Sequence, residues 1–214
     1  MRLRNVKNAD LILKESPYFL LEPTQYRGKF GEVFLNQNPI HLEIGTGKGQ
    51  FLIEMARKFP DINFVGMEKY DSVLVRAIQK CSNENLPNLK FICMDAKNLE
   101  TVFDHEVETI YLNFSDPWPK NRHRMRRLTS PIFLKIYDGV FQNDAKIIQK
   151  TDNLILFSSS LEQLSQYGYI LKRVSLDLHA TDIPNVETEY EQRFSKMGIK
   201  INYLEAQKAN SKIL

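Results

Sequence analysis

Residues 39–59 read PIHLEIGTGKGQFLIEMARKF. An apolar run opened by a proline suits a buried strand. Glycines at 45, 47 and 49 interrupt it, and Phe51, Leu52, Met55, Ala56 and Phe59 then recur at the spacing of one helix face. The turn is not a Walker A loop, because Leu42 and Gly49 stand where that loop needs a glycine and a Ser or Thr. Nor is it the dinucleotide GxGxxG: the third glycine comes one residue early and an acid precedes the first. Glycines let a backbone turn tightly and approach a ligand closely. The plainer reading is a strand–helix turn that needs positive φ.

Outward from this unit the alternation continues. INFVGME (from Ile62) reads as a strand, followed by a helix with Val73, Leu74, Ala77, Ile78 and Cys81 on one side. LKFICMDA (from Leu89) and TIYLNFSD (from Thr109) are the next strands, and Ile132, Phe133, Ile136, Tyr137 and Val140 mark a helix. AKIIQKTDN (from Ala145) is a fifth strand, with a helix through Phe157, Leu161 and Leu164 after it. YILKRVSLDLH (from Tyr169) and KINYLEAQK (from Lys200) come last, separated by Tyr190, Phe194 and Met197 at helical spacing, with Gly198 as a C-cap. Such alternation predicts an α/β, doubly wound, mostly parallel sheet with an antiparallel pair at its C-terminal edge. Ligands of such sheets bind beyond the carboxyl ends of the strands.

A chain of 214 residues suits one domain, and 43% hydrophobic with 26% charged residues is ordinary for a soluble globular protein. No apolar run reaches the roughly 20 residues of a membrane span, and the charged N-terminus is not a signal peptide. Cys81 and Cys93 have no metal-ligand spacing and read as core thiols of a reducing, cytoplasmic compartment. His41, His105 and His179 also lack ligand spacing, and His179, after a strand, is placed to support a site from behind. The net charge of +3 is mild, yet Lys120, Arg122, Arg124, Arg126 and Arg127 fall together without an acid. Such a run is either a solvated face or a phosphate-binding surface.

Each of the first four strands carries an acid at or near its end: Glu43, Glu68, Asp95 and Asp116. Glu68 follows the glycines by about 20 residues, the spacing of an acid that bonds ribose hydroxyls. With ExGxGxG ahead of them, these acids resemble the Rossmann-like class I S-adenosylmethionine-dependent methyltransferases. That resemblance implies Glu68 on the cofactor's ribose, Asp95 near its adenine, and Glu43 orienting Gly45, Gly47 and the methionine end. Asp116 lies where such enzymes present the acceptor. Pro117 and Pro119 fix φ on both sides of Trp118, which holds the carboxylate on a rigid corner.

Leu112–Thr129, LNFSDPWPKNRHRMRRLT, makes the resemblance specific. With IHLEIGTGKGQF, KTDN (150–153), VSLDLHATD and TEYEQRFSKMG, it resembles the bacterial tRNA (guanine-N7-)-methyltransferases over nearly the whole chain. The resemblance implies a single class I domain of seven strands, with residues 1–38 as an N-terminal extension touching tRNA. It implies S-adenosyl-L-methionine as cofactor, tRNA as partner, no metal, no membrane, and a monomer or homodimer. Glu43, Glu68, Asp95 and Asp116 match cofactor-site acids, and Asp116 is also the expected catalytic residue. Lys120, Asp152, Thr188, Glu189, Tyr190 and Glu191 match positions assigned to the RNA, and the basic run Arg122, Arg124, Arg126 and Arg127 is read as its phosphate surface. The chain departs from the pattern at Leu154 and Ile155, where the family usually has Arg-Gly, and in the turn Gln142–Ala145, which lacks the usual glycines.

Guanine N7 is a lone pair with no proton to lose, so its methylation needs alignment and desolvation more than a general base. Asp116 either stabilises the forming cation or accepts from the guanine edge, with Glu189 and Asp152 as alternative partners. Extrusion of the base from its stack suits a buried methyl donor. Trp118 is read as packing beneath the loop rather than stacking on the base. Methylation of an exocyclic amine, NAD-dependent oxidoreduction and non-catalytic RNA binding are the competing classes. Trp118 in place of a second proline, the glycine spacing and the intact acids count against them in turn.

Overall fold

The computed structural model describes residues 9–208. Seven strands form one sheet: β1 Ile40–Ile44, β2 Asn63–Glu68, β3 Leu89–Cys93, β4 Val107–Asn113, β5 Phe141–Thr151, β6 Ile170–Ser175 and β7 Asn202–Lys208. Their order is β3-β2-β1-β4-β5-β7-β6. The first five are parallel, and β7 runs antiparallel to both β5 and β6. The expected C-terminal pair therefore exists, with β7 on its inner side against β5 and β6 on the rim. β6 is largely exposed and carries Lys172 and Arg173, charges that discourage pairing with another chain. β5 begins four residues earlier than its apolar run, so Gln142–Asp144 extend the strand rather than form a turn.

Central strands are buried on both faces, which is why β1 and β2 read as continuous apolar runs. One face carries α1 Ala9–Lys14, α3 Gln50–Lys58 and α4 Asp71–Cys81; the other carries α2 Phe30–Phe34, α5 Pro131–Val140 and α6 Leu154–Gln166. The stripe Leu74, Val75, Ala77, Ile78 and Cys81 of α4 is wholly covered. Each large side chain fully buried in this way contributes roughly 1.5–3 kcal/mol. Cys93, by contrast, is only half-buried.

Of the N-terminal extension, the described part packs on the fold. α1 lies against α4, and Leu20 N donates to Phe91 O at 2.9 Å while Phe91 N donates to Tyr18 O at 2.7 Å, closing the β3 edge. The basic start Met1–Arg4 lies outside the described residues. The last helix, α7 Glu189–Ser195, is capped by Lys196 rather than by Gly198; Gly198, at φ +77°, closes the turn that follows by donating to Ser195 O at 2.9 Å.

Candidate active site

The chain runs β1 to β3 toward one edge and then crosses back to β4, so strand order reverses between β1 and β4. A crevice opens at that switch point. Glu43, next to last in β1, lies there with only 2% of its surface exposed. Its Oε2 accepts from the Thr46 hydroxyl at 2.6 Å and its Oε1 from Asn113 Nδ2, at the end of β4, at 2.8 Å. Burial drives the Glu43 carboxyl up to about 7, against the opposing pull of Thr46, Asn113 and Lys150. Gly45 and Gly47 follow with φ of +80° and +59°, and a Cβ at either would meet open space. Their backbone thus faces the crevice in a conformation that favours glycine.

Glu68 braces this turn from β2. Its Oε2 accepts from Gly47 N at 3.1 Å, and its Oε1 from Lys69 N at 2.8 Å and Tyr70 N at 3.1 Å. Asp95, after β3, caps the 3-10 turn Ala96–Thr101 through Lys97 N and bonds Lys69 Nζ at 2.8 Å. The Lys69 bond holds its carboxyl below the usual carboxylate range. Sequence placed Glu68 and Asp95 at adjacent strand ends, and Lys69 is the residue that links them.

The β4 exit is strained: Phe114 and Trp118 both have positive φ, 51° and 42°. Such backbone costs of order 1–3 kcal/mol per residue and persists only where surroundings enforce it. Phe114 is held by its N–H bond to Lys150 O at 2.8 Å, and at Trp118 the enforcer is Arg127. It is 6% exposed, and it donates from Nε to Pro117 O at 3.0 Å and from Nη2 to Trp118 O at 3.2 Å. Arg127 therefore leaves the predicted phosphate surface and props the corner from within. Lys120, just before the turn Asn121–Arg126, and Arg122, Arg124 and Arg126 on it stay exposed. Trp118 is half-buried, with the Arg126 guanidinium 4.9 Å above its ring and His123 against its edge. Asp116 is exposed and makes no hydrogen bond or ion pair among the described residues.

The C-terminal segment reaches over the same crevice. Thr188 and Glu191 close a capping box at the start of α7. Glu189 bonds Lys80 Nζ at 2.6 Å and Lys48 Nζ at 3.4 Å, tying α7 to α4 and to the glycine turn. Tyr190 stacks between Phe194 (4.1 Å) and Phe114 (4.7 Å), and its hydroxyl donates to Asp152 at 3.0 Å. Glu191 is fully buried. Its oxygens take Lys150 Nζ at 2.6 Å, Asn185 Nδ2 at 2.6 Å and His179 Nε2 at 3.1 Å. Glu191 is thus walled off from solvent in this arrangement, whereas Thr188, Glu189, Tyr190 and Asp152 remain at the crevice. His179 stands behind the segment as expected.

Between the glycine turn and α7 lies a cavity of about 200 Å³, lined by Glu43, Gly45, Gly47, Asn113, Thr188 and Tyr190 among others. Asn113 Oδ1 is buried without a partner among the described residues. A bare glycine cradle, a buried carboxylate and an orphaned amide oxygen fit the cationic methionine end of S-adenosylmethionine. Glu68 reaches this cavity only through Gly47, and Asp95 sits farther out on the rim. Sequence reasoning passed over Asn113, Lys150, Phe114, Lys48 and Lys80. A polar side chain ending an otherwise buried strand was the available signal for Asn113 and Lys150. Among the described residues no group of three or more His, Cys, Asp or Glu side chains could hold a metal ion, and no helix is long and apolar enough to cross a membrane.

Sheet order, glycine cradle and strand-end acids define a class I S-adenosylmethionine-dependent methyltransferase. The family described as "Putative methyltransferase" matches residues 37–204. The 16S rRNA methyltransferase KamB shares the fold at a TM-score of 0.67 and 16% identity, with 85% of this chain and 93% of that one covered. A tRNA (guanine-N(7)-)-methyltransferase of Geobacillus thermodenitrificans is 51% identical over 209 residues, 96% of this chain and 97% of that protein. One from Bacillus licheniformis is 49% identical over 210 residues, 97% and 99% of the two chains. The chain belongs to the tRNA (guanine-N(7)-)-methyltransferase family.

Proposed function

We propose that this chain transfers the methyl group of S-adenosyl-L-methionine to N7 of a guanosine in the variable loop of tRNA, in the cytoplasm, as a monomer or homodimer. The observation that carries the reading is Asp116: an exposed carboxylate, unpartnered among the described residues, on a corner braced by Arg127 and flanked by exposed arginines. The bound sulfonium supplies the electrophilic methyl. Glu43 and Asn113 hold the cofactor's amino-acid end, Glu68 its ribose and Asp95 the adenine side. Asp116 faces the guanine, either to balance the charge that grows on the imidazole ring or to accept from its N1–H and amino group. No residue has to take a proton, because N7 has none. Asp152, Thr188, Glu189 and Tyr190 frame the base at the crevice, and Lys120, Arg122, Arg124 and Arg126 neutralise phosphates. Glu191 acts from behind, by fixing α7.

The deciding experiment transfers a methyl label from S-adenosylmethionine to unmodified tRNA and locates it by nuclease digestion. Label on N7-methylguanosine of the variable loop is expected. Label on an exocyclic amine, or none, would reject the reading.

A further inference from the structure

Beside the Asp116 corner, the turn Asn121–Arg126 and one side of α6 leave a groove of about 640 Å³ that the chemistry above does not use. Buried Arg127 and Ser130 lie at its base. Met125 and Ile155, 41% and 59% exposed, line it from opposite elements, and Leu154, 61% exposed, opens α6 next to them. These apolar side chains gain nothing from water, and Met125 and Ile155, facing one groove from two elements, form a ledge that something flat and apolar would cover. Ser158, Ser159 and Gln163 add hydrogen-bonding groups to the α6 wall. Arg124, on the opposite wall, is exposed and has no ion pair among the described residues.

An apolar ledge, a hydrogen-bonding edge and an exposed cation together match one unstacked nucleotide: base, base edge and phosphate. Glu162 lies in the same groove and repels phosphate, which sets the backbone on the Arg124 side. A second copy of the chain fits less well. A two-fold contact through this face would bury Arg124 without an acid of its own chain to pair with it among the described residues. The groove also shares a wall with the acceptor corner, because Arg127 both lines it and holds Pro117 and Trp118.

We propose that this groove seats a second, splayed-out nucleotide of the same tRNA whose guanosine faces Asp116. The inference rests on the tRNA reading above and adds a subsite in which Ile155 and Met125 grip the base. Two measurements on the full chain test it. In the first, Ile155→Ser with Met125→Ser should weaken binding of unmodified tRNA on the order of tenfold, the scale of removing the support under one base. The salt slope and the affinity for S-adenosylmethionine should stay at wild-type values, because no charge is removed. In the second, a benzophenone side chain at Ile155 should crosslink to one tRNA nucleotide distinct from the methylated guanosine. Unchanged tRNA affinity in the double variant would overturn the proposal, as would a crosslink to another copy of the chain or none to RNA. Wild-type protein methylating guanosine N7 in the same assays separates failure of the groove from failure of the tRNA reading, which would remove both.

Discussion

Lys150 Nζ lies 2.6 Å from Glu191 Oε2, with side chains only 3% and 0% exposed. This ion pair fastens the end of β5 to the first turn of α7, and Lys150 also donates to Val186 O at 2.8 Å and Asn185 Oδ1 at 3.1 Å. Burial pushes the Lys150 ammonium below the usual lysine value while Glu191 pulls it back. The segment that frames the crevice is therefore held from below by two buried charges.

Removing one of them strands the other. Lys150→Met is expected to destabilise the protein by about 3–5 kcal/mol, whereas Lys150→Met with Glu191→Leu should recover most of that loss. Thermal denaturation of the variants checks this. Equal destabilisation by single and double substitution would show that packing, not stranded charge, sets the cost.

Glu43 makes cofactor binding sensitive to pH. Its folded value of about 7 exceeds the ordinary 4.5, so the folded protein binds the extra proton between those values. The resulting stabilisation, up to about 3 kcal/mol, is complete below pH 4.5 and is lost as pH rises through about 7. A cationic cofactor favours the ionised carboxyl. Affinity for S-adenosylmethionine should therefore rise with pH, by up to about tenfold per unit below 7, and level off above it. Calorimetric titration over that range, with Glu43→Gln as control, should find the slope only in the parent protein.

Glu68 has two tasks in the proposed site, ribose binding and support of Gly47. Glu68→Ala should lose a charge-assisted hydrogen bond worth on the order of 1.5–3 kcal/mol in cofactor affinity. Affinity for tRNA should be largely retained. Unchanged cofactor affinity by calorimetry would take Glu68 out of the site.

The arginines divide by burial. Replacing Arg122, Arg124 and Arg126 by alanine should weaken tRNA binding and lower its salt slope by about one for each phosphate no longer neutralised. Arg127→Ala should leave the slope at its parent value and slow methylation, because Pro117 and Trp118 lose their brace. A common effect on slope for all four would return Arg127 to the phosphate surface.

Asp116→Asn keeps an acceptor oxygen and loses the charge. If Asp116 stabilises the cationic guanine, single-turnover methylation should fall roughly 10²–10³-fold with little change in tRNA affinity. Parallel losses in rate and affinity would instead assign a clamp. A rate that climbs tenfold per pH unit above neutrality would point to proton removal, and hence to an amino acceptor.

The sheet, the glycine turn, the strand-end acids and the family are all legible in the order of residues. Strand and helix periods and turn residues are local quantities, and the acids stand at fixed offsets from them. Which charges face outward is set instead by the folded chain. Arg126 and Arg127 are neighbours in one basic run, yet Arg126 lies exposed over Trp118 and Arg127 turns inward to Pro117 O and Trp118 O. Glu189 and Glu191 sit two residues apart, yet one bridges Lys48 and Lys80 at the crevice while the other is sealed against Lys150. A charge's role depends on whether a distant strand supplies its counter-charge and excludes water, and that partner lies across the fold rather than along the chain. Likewise β7 enters between β5 and β6 because long-range pairing, not residue preference, fixes strand order.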